Sequence, residues 1–255
     1  MDLTLFEYAI ALTGSFMAGA VNTLAGNGSV ITLSILTDLI GLPGNVANGT
    51  NRVGVLFQTI GSSSGFAKNK MIDLGKSKSI IILTVLGAIL GVFTAISVSN
   101  EQFLFVFKYL MLVMLLMVLV KPEKWLRTTE IKKVSAWISI PAFIIIGFYG
   151  GFIQMGMGIF FLAVTVLLAG YNIMHANAIK TIVIAIYTII VLAIFQLKGL
   201  VNWEVGLLMA IGQTLGGYLT AAYASKWKDI NLWAYRLLII IIIFAILMQF
   251  QIIKL

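Results

Sequence analysis

The amino-acid sequence predicts an all-α polytopic membrane protein, and three observations carry this prediction. Of its 255 residues, 60% are hydrophobic and only 10% are charged, against about 25% charged residues in soluble domains. Several apolar stretches exceed the ~20 residues that cross the ~30 Å hydrocarbon core of a bilayer. Glycine-rich turns interrupt the apolar sequence at Gly26 and again at Gly156, which indicates an internal repeat.

Ten apolar runs divide the chain. They cover residues 3–25, 29–42, 46–67, 79–99, 102–120, 134–155, 158–170, 175–197, 203–225 and 232–253. The longest polar connection, residues 121–133, is too short to form a separate soluble domain. Because run lengths follow the same order in each half, we predict a first transmembrane repeat at 1–120, a cytoplasmic linker at 121–133 and a second repeat at 134–255.

Small and amide residues match in order between the two halves. The matches are Gly26-Asn27-Gly28 with Gly156-Met157-Gly158 at a shift of 130, Gly41, Ala47 and Asn48 with Gly170, Ala176 and Asn177 at a shift of 129, and Gly87 and Gly91 with Gly212 and Gly216 at a shift of 125. A collinear series with such small gaps favours duplication over coincidence. The last four glycines also form small-xxx-small seams, which fit packing within the chain or between two copies in a homodimer.

The distribution of lysine and arginine predicts the orientation. Cations cluster after the third, fifth and ninth runs, and such clusters mark the cytoplasmic side of a membrane. If every run changes sides, all three clusters lie in the cytoplasm and both termini lie outside a cell membrane. Five runs per repeat is an odd number, so the second repeat is inverted relative to the first, as in many secondary transporters. The net charge of +8 therefore requires no nucleic-acid partner.

The run after each glycine turn is too short to span a membrane. Residues 29–42 would rise only ~21 Å as a helix and residues 159–170 only ~18 Å. We therefore predict that the first two runs of each repeat form a short or re-entrant helical hairpin with a glycine-rich tip, and that the two tips meet near the midplane. Irregular backbone at that depth must be buried in protein or line a cavity. The alternative is that the glycines only permit close helix packing.

Two cations inside the runs, Arg52 and Lys180, predict an anion site. Cations in membrane helices are costly unless they face a polar cavity or extend to the interface, and the related positions of these two favour a shared pocket. Arginine offers a planar fork of donors and lysine a compact charge. The predicted substrate-binding set adds neutral donors and the tip glycines: Asn22, Gly26, Asn27, Gly28, Asn48, Asn51, Gln154, Gly156, Gly158 and Asn177. Each amide fits a helix-to-helix hydrogen bond equally well.

The sequence lacks the residues that enzymatic function would require. Acidic residues lie at run ends and in loops, the single histidine, His175, cannot build a metal site, and there is no cysteine or Walker-type phosphate loop. His175 opens the eighth run, where an interfacial or capping role is favoured over a proton relay. We expect no enzyme activity, no cofactor and no bound metal. A membrane scaffold or assembly subunit is the alternative to a transporter, but it would not need aligned buried cations.

Two long segments carry a resemblance to a known family. They are "GAVNTLAGNGSVITLSILTDLIGLPGNVANGTNRVG" in the first half and "GFYGGFIQMGMGIFFLAVTVLLAGYNIMHANAIKT" in the second, and they resemble the TauE/SafE family of sulfite exporters. The resemblance implies a cell-membrane transporter that exports sulfite or an organosulfonate such as sulfoacetate. We expect a small anionic substrate and alternating access around a midplane site, with a non-sulfur solute as the alternative.

Overall fold

The computed structural model describes residues 4–70, 74–119, 135–168, 171 and 173–223, with scattered residues between 226 and 250. Within these ranges the secondary structure is helical and contains no strand, which confirms the predicted all-α class. The helices are α1 (Leu5–Leu24), α2 (Ser29–Ser34), α3 (Gly44–Lys68), α4 (Leu74–Ala95), α5 (Asn100–Leu119), α6 (Ala136–Phe152), α7 (Met157–Leu162), α8 (Ile173–Leu197) and α9 (Trp203–Tyr223). The predicted linker at 121–133 and most of the tenth run lie outside the described residues.

The helices that follow the two glycine turns are short. Helix α2 continues as a π-helix over Ile35–Leu39, and α7 continues in the same way over Ala163–Leu168. The combined helix Ser29–Leu39 rises by only ~16 Å, about half the thickness of the hydrocarbon core. π-Helical turns are rare, and they occur frequently at functional sites.

Three of the described helices are long and apolar enough to cross a membrane: Lys78–Ala95, Met174–Leu197 and Trp203–Tyr223. Helix α4 turns Leu86, Leu90 and Phe93 outward, and α9 does the same with Leu207 and Ile211. Exposed large apolar side chains at helical spacing are typical of a surface that contacts lipid. The described part of the chain is therefore that of a multi-pass membrane protein.

Helices α3 and α8 occupy the centre of the bundle. Helix α3 packs against α8 and α9, and α8 also packs against α4. Near one end of α3, Gly49 lies against Phe195 of α8, and near the other end the Ser63 hydroxyl donates to Thr181 Oγ1 at 3.3 Å. Because residue numbers fall on α8 as they rise on α3, the two central helices run antiparallel. Polar side chains at their contact are thereby shielded from lipid.

The predicted glycine seams pack within one chain. Gly212 and Gly216 of α9 lie against the backbone of α1 at Leu12 and Phe16. Gly87 and Gly91 of α4 lie in the same way against the backbone of α6 at Ile144 and Phe148. A Cβ at any of these glycines would overlap a main-chain carbonyl oxygen of the facing helix. These seams therefore do not provide the homodimer contact that the sequence left open.

Replacing a seam glycine is expected to destabilise the single chain. Gly216→Ala would place a methyl group against the backbone of Phe16. We therefore expect the free energy of unfolding to fall by ~1–3 kcal/mol, measured by thermal unfolding in detergent. Gly14→Ala is the control, since the atom closest to a methyl group there is the end of the flexible Ile35 side chain and not backbone. If the seam instead joined two copies of the chain, Gly216→Ala would lower the mass measured by light scattering and would leave the thermal unfolding of the monomer unchanged.

Candidate functional site

The site lies where helices α1 and α6 end and the chain turns sharply. In the first turn Gly26 adopts a φ of 77°. In the second turn Gly156 has a φ of 69° and Gln154 a φ of 65°. Glycine adopts this left-handed region readily, whereas a residue such as Gln154 seldom does. Backbone strain of this kind is frequent at functional sites, and both turns belong to the predicted substrate-binding set.

The two turns meet through the backbone of Gly26 and Gly158, a feature that we call the turn contact. A Cβ on Gly26 would lie 2.5 Å from the Cα of Gly158 and 3.0 Å from the amide nitrogen of Ile159. A Cβ on Gly158 would likewise overlap the Cα of Gly26. Gly28 is confined in another way, because it packs against the main chain of Ala18 in α1. Only glycine leaves room for this approach.

Arg52 of α3 is fully buried and caps the end of α6. Its guanidinium donates to main-chain oxygens of α6 and to two amide side chains: Gly150 O at 2.7 Å, Gly151 O at 3.0 Å, Asn48 Oδ1 at 3.2 Å and Gln154 Oε1. The Asn48 side chain donates in turn to Phe152 O at 2.8 Å. The last carbonyl groups of α6 are thus bound by two side chains of α3.

Lys180 of α8 is also fully buried, and it caps the end of α1. Its ammonium group donates to Asn22 O at 2.8 Å, Thr23 O at 3.2 Å and Asn177 Oδ1 at 2.5 Å. The Asn177 side chain donates to Leu24 O at 3.0 Å. The arrangement repeats that at Arg52, with an asparagine and a cation of one central helix bound to the last carbonyls of a helix from the other half of the chain.

These caps provide hydrogen-bond donors for the last carbonyl groups of helices that end inside a membrane protein. The last carbonyl groups of a helix have no partner within the helix, and the hydrocarbon core offers no water to replace one. A positive charge at this end also complements the helix dipole. Arg52 and Lys180 therefore allow α1 and α6 to end inside the bundle without leaving their carbonyl groups unpaired.

The two cations bind different helix ends. The guanidinium carbon of Arg52 lies 5.8 Å from the centroid of the Phe195 ring, and Arg52 and the Tyr187 hydroxyl both donate to Gln154 Oε1. Tyr187 follows Lys180 by seven residues on α8, a rise of about 10 Å. In the described residues each cation is bound to a different turn and the two have no hydrogen-bond partner in common. The pocket that we predicted them to share stays a prediction.

Three of the predicted residues carry buried donor atoms without a partner among the described residues. They are the side-chain amide of Asn27, Nδ2 of Asn51 and Nε of Arg52. Asn27 follows Gly26 directly, and its side-chain oxygen is unpaired as well. Asn51 is fixed by the Thr32 hydroxyl of α2, which donates to its Oδ1 at 2.6 Å. Since an unpaired buried polar group costs about 1–3 kcal/mol, such atoms are candidates for binding a ligand.

Some residues around the turns were missed from the sequence. Tyr187 of α8 donates through its hydroxyl to Gln154 Oε1 at 3.1 Å, and Gln58 of α3 accepts from Asn22 Nδ2 at 2.7 Å. A signal for Gln58 was available, because polar residues of α3 fall on one face at helical spacings of three, four or seven: Asn48, Asn51, Gln58, Ser62 and Asn69. Tyr187 gave no comparable signal. His175 is exposed at the start of α8.

The fold and the site together define a class of protein. Apolar helices enclose buried cations and amides at the ends of two broken helices, which is typical of a membrane transporter. Within the described residues, no group of three or more His, Asp or Glu side chains is placed to hold a metal ion.

Comparison with known proteins identifies the family. The model of the Sulfite exporter TauE/SafE family matches residues 11–250, and the chain belongs to this family of membrane transporters. It is 27% identical over 224 residues to the "Probable membrane transporter protein ORF9" of Sinorhizobium, covering 88% of this chain and 85% of that protein. It is 28% identical to a "Probable membrane transporter protein" of Haemophilus influenzae, covering 87% and 86%. No solved structure matches.

Proposed function

We propose that this transporter exports sulfite or a small organosulfonate such as sulfoacetate, and that the anion binds beside the turn contact. The observation that carries the proposal is the group of unpaired buried donors on Asn27, Asn51 and Arg52. A sulfur oxyanion accepts several hydrogen bonds from such donors, and those from a charged group are the strongest. The family description names sulfite export, which supports the sulfur class of substrate.

The balance of buried charge supports an anionic substrate. Arg52 and Lys180 are fully buried, and no aspartate or glutamate is buried among the described residues. Main-chain carbonyl groups stabilise the two cations but leave their net charge uncompensated. Burying a charge is costly unless an opposite charge pairs with it. An anion bound between the turns would reduce this cost, whereas a cation would increase it.

The remaining predicted residues hold the turns in place. Asn22, Asn48, Asn177 and Lys180 bind main-chain or amide groups at the helix ends, and Gln154 accepts from the Arg52 guanidinium. Gly26, Gly28, Gly156 and Gly158 provide the sharp turns and the close approach. A fixed arrangement of donors discriminates between ligands better than a mobile one, because less conformational freedom is lost on binding.

We further propose that the two halves are inverted repeats, each beginning with a re-entrant hairpin. Helix packing supports this: α1 of the first half packs on α9 of the second, while α6 of the second half packs on α4 of the first. The sequence matches pair α1 with α6 and α4 with α9, so exchanging the halves preserves these contacts. Rocking of one half against the other would then expose the turn contact alternately to each side.

The orientation that we propose follows from the ends of the helices. Helix α3 ends at Lys68, while α5 and α9 carry Glu101 and Glu204 in their first turns. The positive-inside rule places the Lys68 end in the cytoplasm of a cell membrane, with both termini outside. A monovalent anion leaving a cell with a negative interior gains ~2.3 kcal/mol per 100 mV. Export without a coupled ion is therefore feasible.

Counterflow in proteoliposomes tests the proposed function. The purified protein is assayed with sulfite, sulfoacetate, sulfate and chloride, and Asn27→Leu is compared with the wild type. We expect saturable counterflow of sulfite or sulfoacetate that Asn27→Leu reduces at least tenfold without lowering the melting temperature, since the Asn27 amide has no partner to lose among the described residues.

The control is Ser34→Ala, which removes an unpaired buried hydroxyl from the same hairpin but further from the turn. It is expected to transport like the wild type. Absence of counterflow with every sulfur anion would overturn the proposed substrate class and favour a non-sulfur solute. Equal loss in both variants would indicate that the hairpin, rather than the Asn27 amide, determines activity.

A further inference from the structure

Asn27 differs from the other residues beside the turn contact, because it carries an unpaired acceptor as well as an unpaired donor. Its side chain is fully buried, and neither Nδ2 nor Oδ1 has a hydrogen-bond partner in the part of the chain that the structure describes. Asn51 and Arg52 contribute only donors, Nδ2 and Nε. The side-chain oxygen of Asn51 already accepts from the Thr32 hydroxyl at 2.6 Å. Since buried amides normally pair both polar atoms, Asn27 Oδ1 requires a donor that the described residues do not supply.

The turn itself does not require an amide at this position. Helix α2 has Gly28 as its N-cap residue, and no side chain caps it. In the second turn the corresponding residue is Met157, whose side chain is apolar and fully buried. The amide of that turn, Gln154, has a paired oxygen, because its Oε1 accepts two hydrogen bonds. Hydrogen bonding within the turns therefore leaves the Asn27 oxygen unused.

We propose that Asn27 selects anions that carry a hydrogen-bond donor in addition to their acceptor oxygens. This inference rests on the proposed function, since it takes the anion to bind beside the turn contact. An anion with acceptors only would pair the three unpaired donors of Asn27, Asn51 and Arg52, but it would leave Asn27 Oδ1 without a partner. An anion that also carries one hydroxyl group would pair all four atoms. Leaving a buried acceptor unpaired weakens binding.

The chemical class that fits is a small sulfur oxyanion with one hydroxyl group. Hydrogen sulfite belongs to this class, and so does a hydroxyl-bearing sulfonate such as isethionate. In both, oxygens bonded to sulfur accept from the protein donors, while the hydroxyl group donates to Asn27 Oδ1. The sulfite dianion and sulfoacetate offer acceptors only. Within the proposed substrate class, the hydroxyl-bearing anions are therefore expected to bind more tightly.

Isethionate and propanesulfonate are a matched pair of ligands for the test. They have the same charge and the same number of non-hydrogen atoms, and isethionate has a hydroxyl group where propanesulfonate has a methyl group. The affinity for each is measured from the rise in melting temperature that it causes in detergent. We expect isethionate to bind at least tenfold more tightly, since a site built to pair a hydroxyl group rejects the analogue that lacks it. An apolar pocket without this acceptor would favour propanesulfonate, because burial of a methyl group is favourable.

Asn27→Met tests the assignment to Asn27. The variant carries the residue that the second turn has at the corresponding position, so the turn is expected to form without the amide. Isethionate should lose at least tenfold in affinity and propanesulfonate much less. Thr84→Val is the control, because it removes an unpaired buried hydroxyl group from α4, which is part of neither turn, and it should keep the preference. Equal losses for the two anions in Asn27→Met would assign the acceptor to another residue and overturn the proposal.

The outcomes separate this inference from the proposed function. Sulfite counterflow together with equal affinity for the two sulfonates would overturn the donor requirement and leave export of a sulfur anion standing. A tenfold preference for isethionate in a protein that shows no counterflow would support the role of Asn27 and refute transport of these anions. If neither sulfonate raises the melting temperature, the inference fails even where sulfite is transported.

Discussion

Gly158→Ala is expected to abolish transport and to destabilise the protein by about 3 kcal/mol, at the upper end of the cost of overpacking. The added methyl group would overlap the Cα of Gly26 and lie 2.7 Å from its carbonyl oxygen. Both atoms belong to the backbone of a turn, so no side-chain rotation can relieve the overlap. Counterflow in proteoliposomes and thermal unfolding in detergent measure the two effects.

Comparing Gly26→Ala with Gly41→Ala distinguishes overlap at the turn contact from the strain of a left-handed backbone conformation. Gly26 and Gly41 have similar φ values, 77° and 73°, but nothing lies within 4 Å of a Cβ on Gly41. Gly41→Ala should therefore lower the free energy of unfolding by only ~1–2 kcal/mol, which is the cost of a left-handed conformation for alanine. It should retain transport. Gly26→Ala should lose transport, as Gly158→Ala does. If Gly158→Ala instead behaves like Gly41→Ala, the two turns are not in contact in the membrane.

Much of the helical framework could be predicted because the membrane imposes a simple pattern. The apolar runs at 46–67 and 203–225 correspond to Gly44–Lys68 and Trp203–Tyr223. The turns were found because Gly26 and Gly156 break apolar sequence at related positions. Length, hydropathy and glycine placement are local properties of the sequence. They predict structure well in a bilayer because exposed backbone groups there cost much free energy.

The partners of the buried cations could not be predicted from the sequence. Arg52 binds the carbonyl groups of Gly150 and Gly151, nearly a hundred residues away, and main-chain carbonyls are the same whatever the residue. The sequence therefore identified Arg52 as an unusual buried cation but gave no sign that it caps a helix. The same holds for Lys180, which binds the main-chain oxygens of Asn22 and Thr23.

Lys180→Met is expected to be strongly damaging for a substitution of a single polar side chain. Asn22 O would retain the Gly26 amide, which donates to it at 3.0 Å, whereas Thr23 O and the Asn177 side-chain oxygen would lose the ammonium group. Each buried acceptor left unpaired costs ~1–3 kcal/mol, so we expect a loss of roughly 2–6 kcal/mol in the free energy of unfolding. Thermal unfolding in detergent measures this loss. Transport should fail as well, since the end of α1 would no longer be held.

Lys198→Met is the matched control, because Lys198 lies exposed at the end of the same helix and should tolerate the change. The capping role and a direct anion-binding role of Lys180 predict different results. If Lys180 served only to bind the anion, Lys180→Met would abolish counterflow while the protein melted at the same temperature or higher, because an uncompensated buried charge had been removed. A joint loss of stability and transport would instead mean that the buried lysine acts through the helix end that it holds.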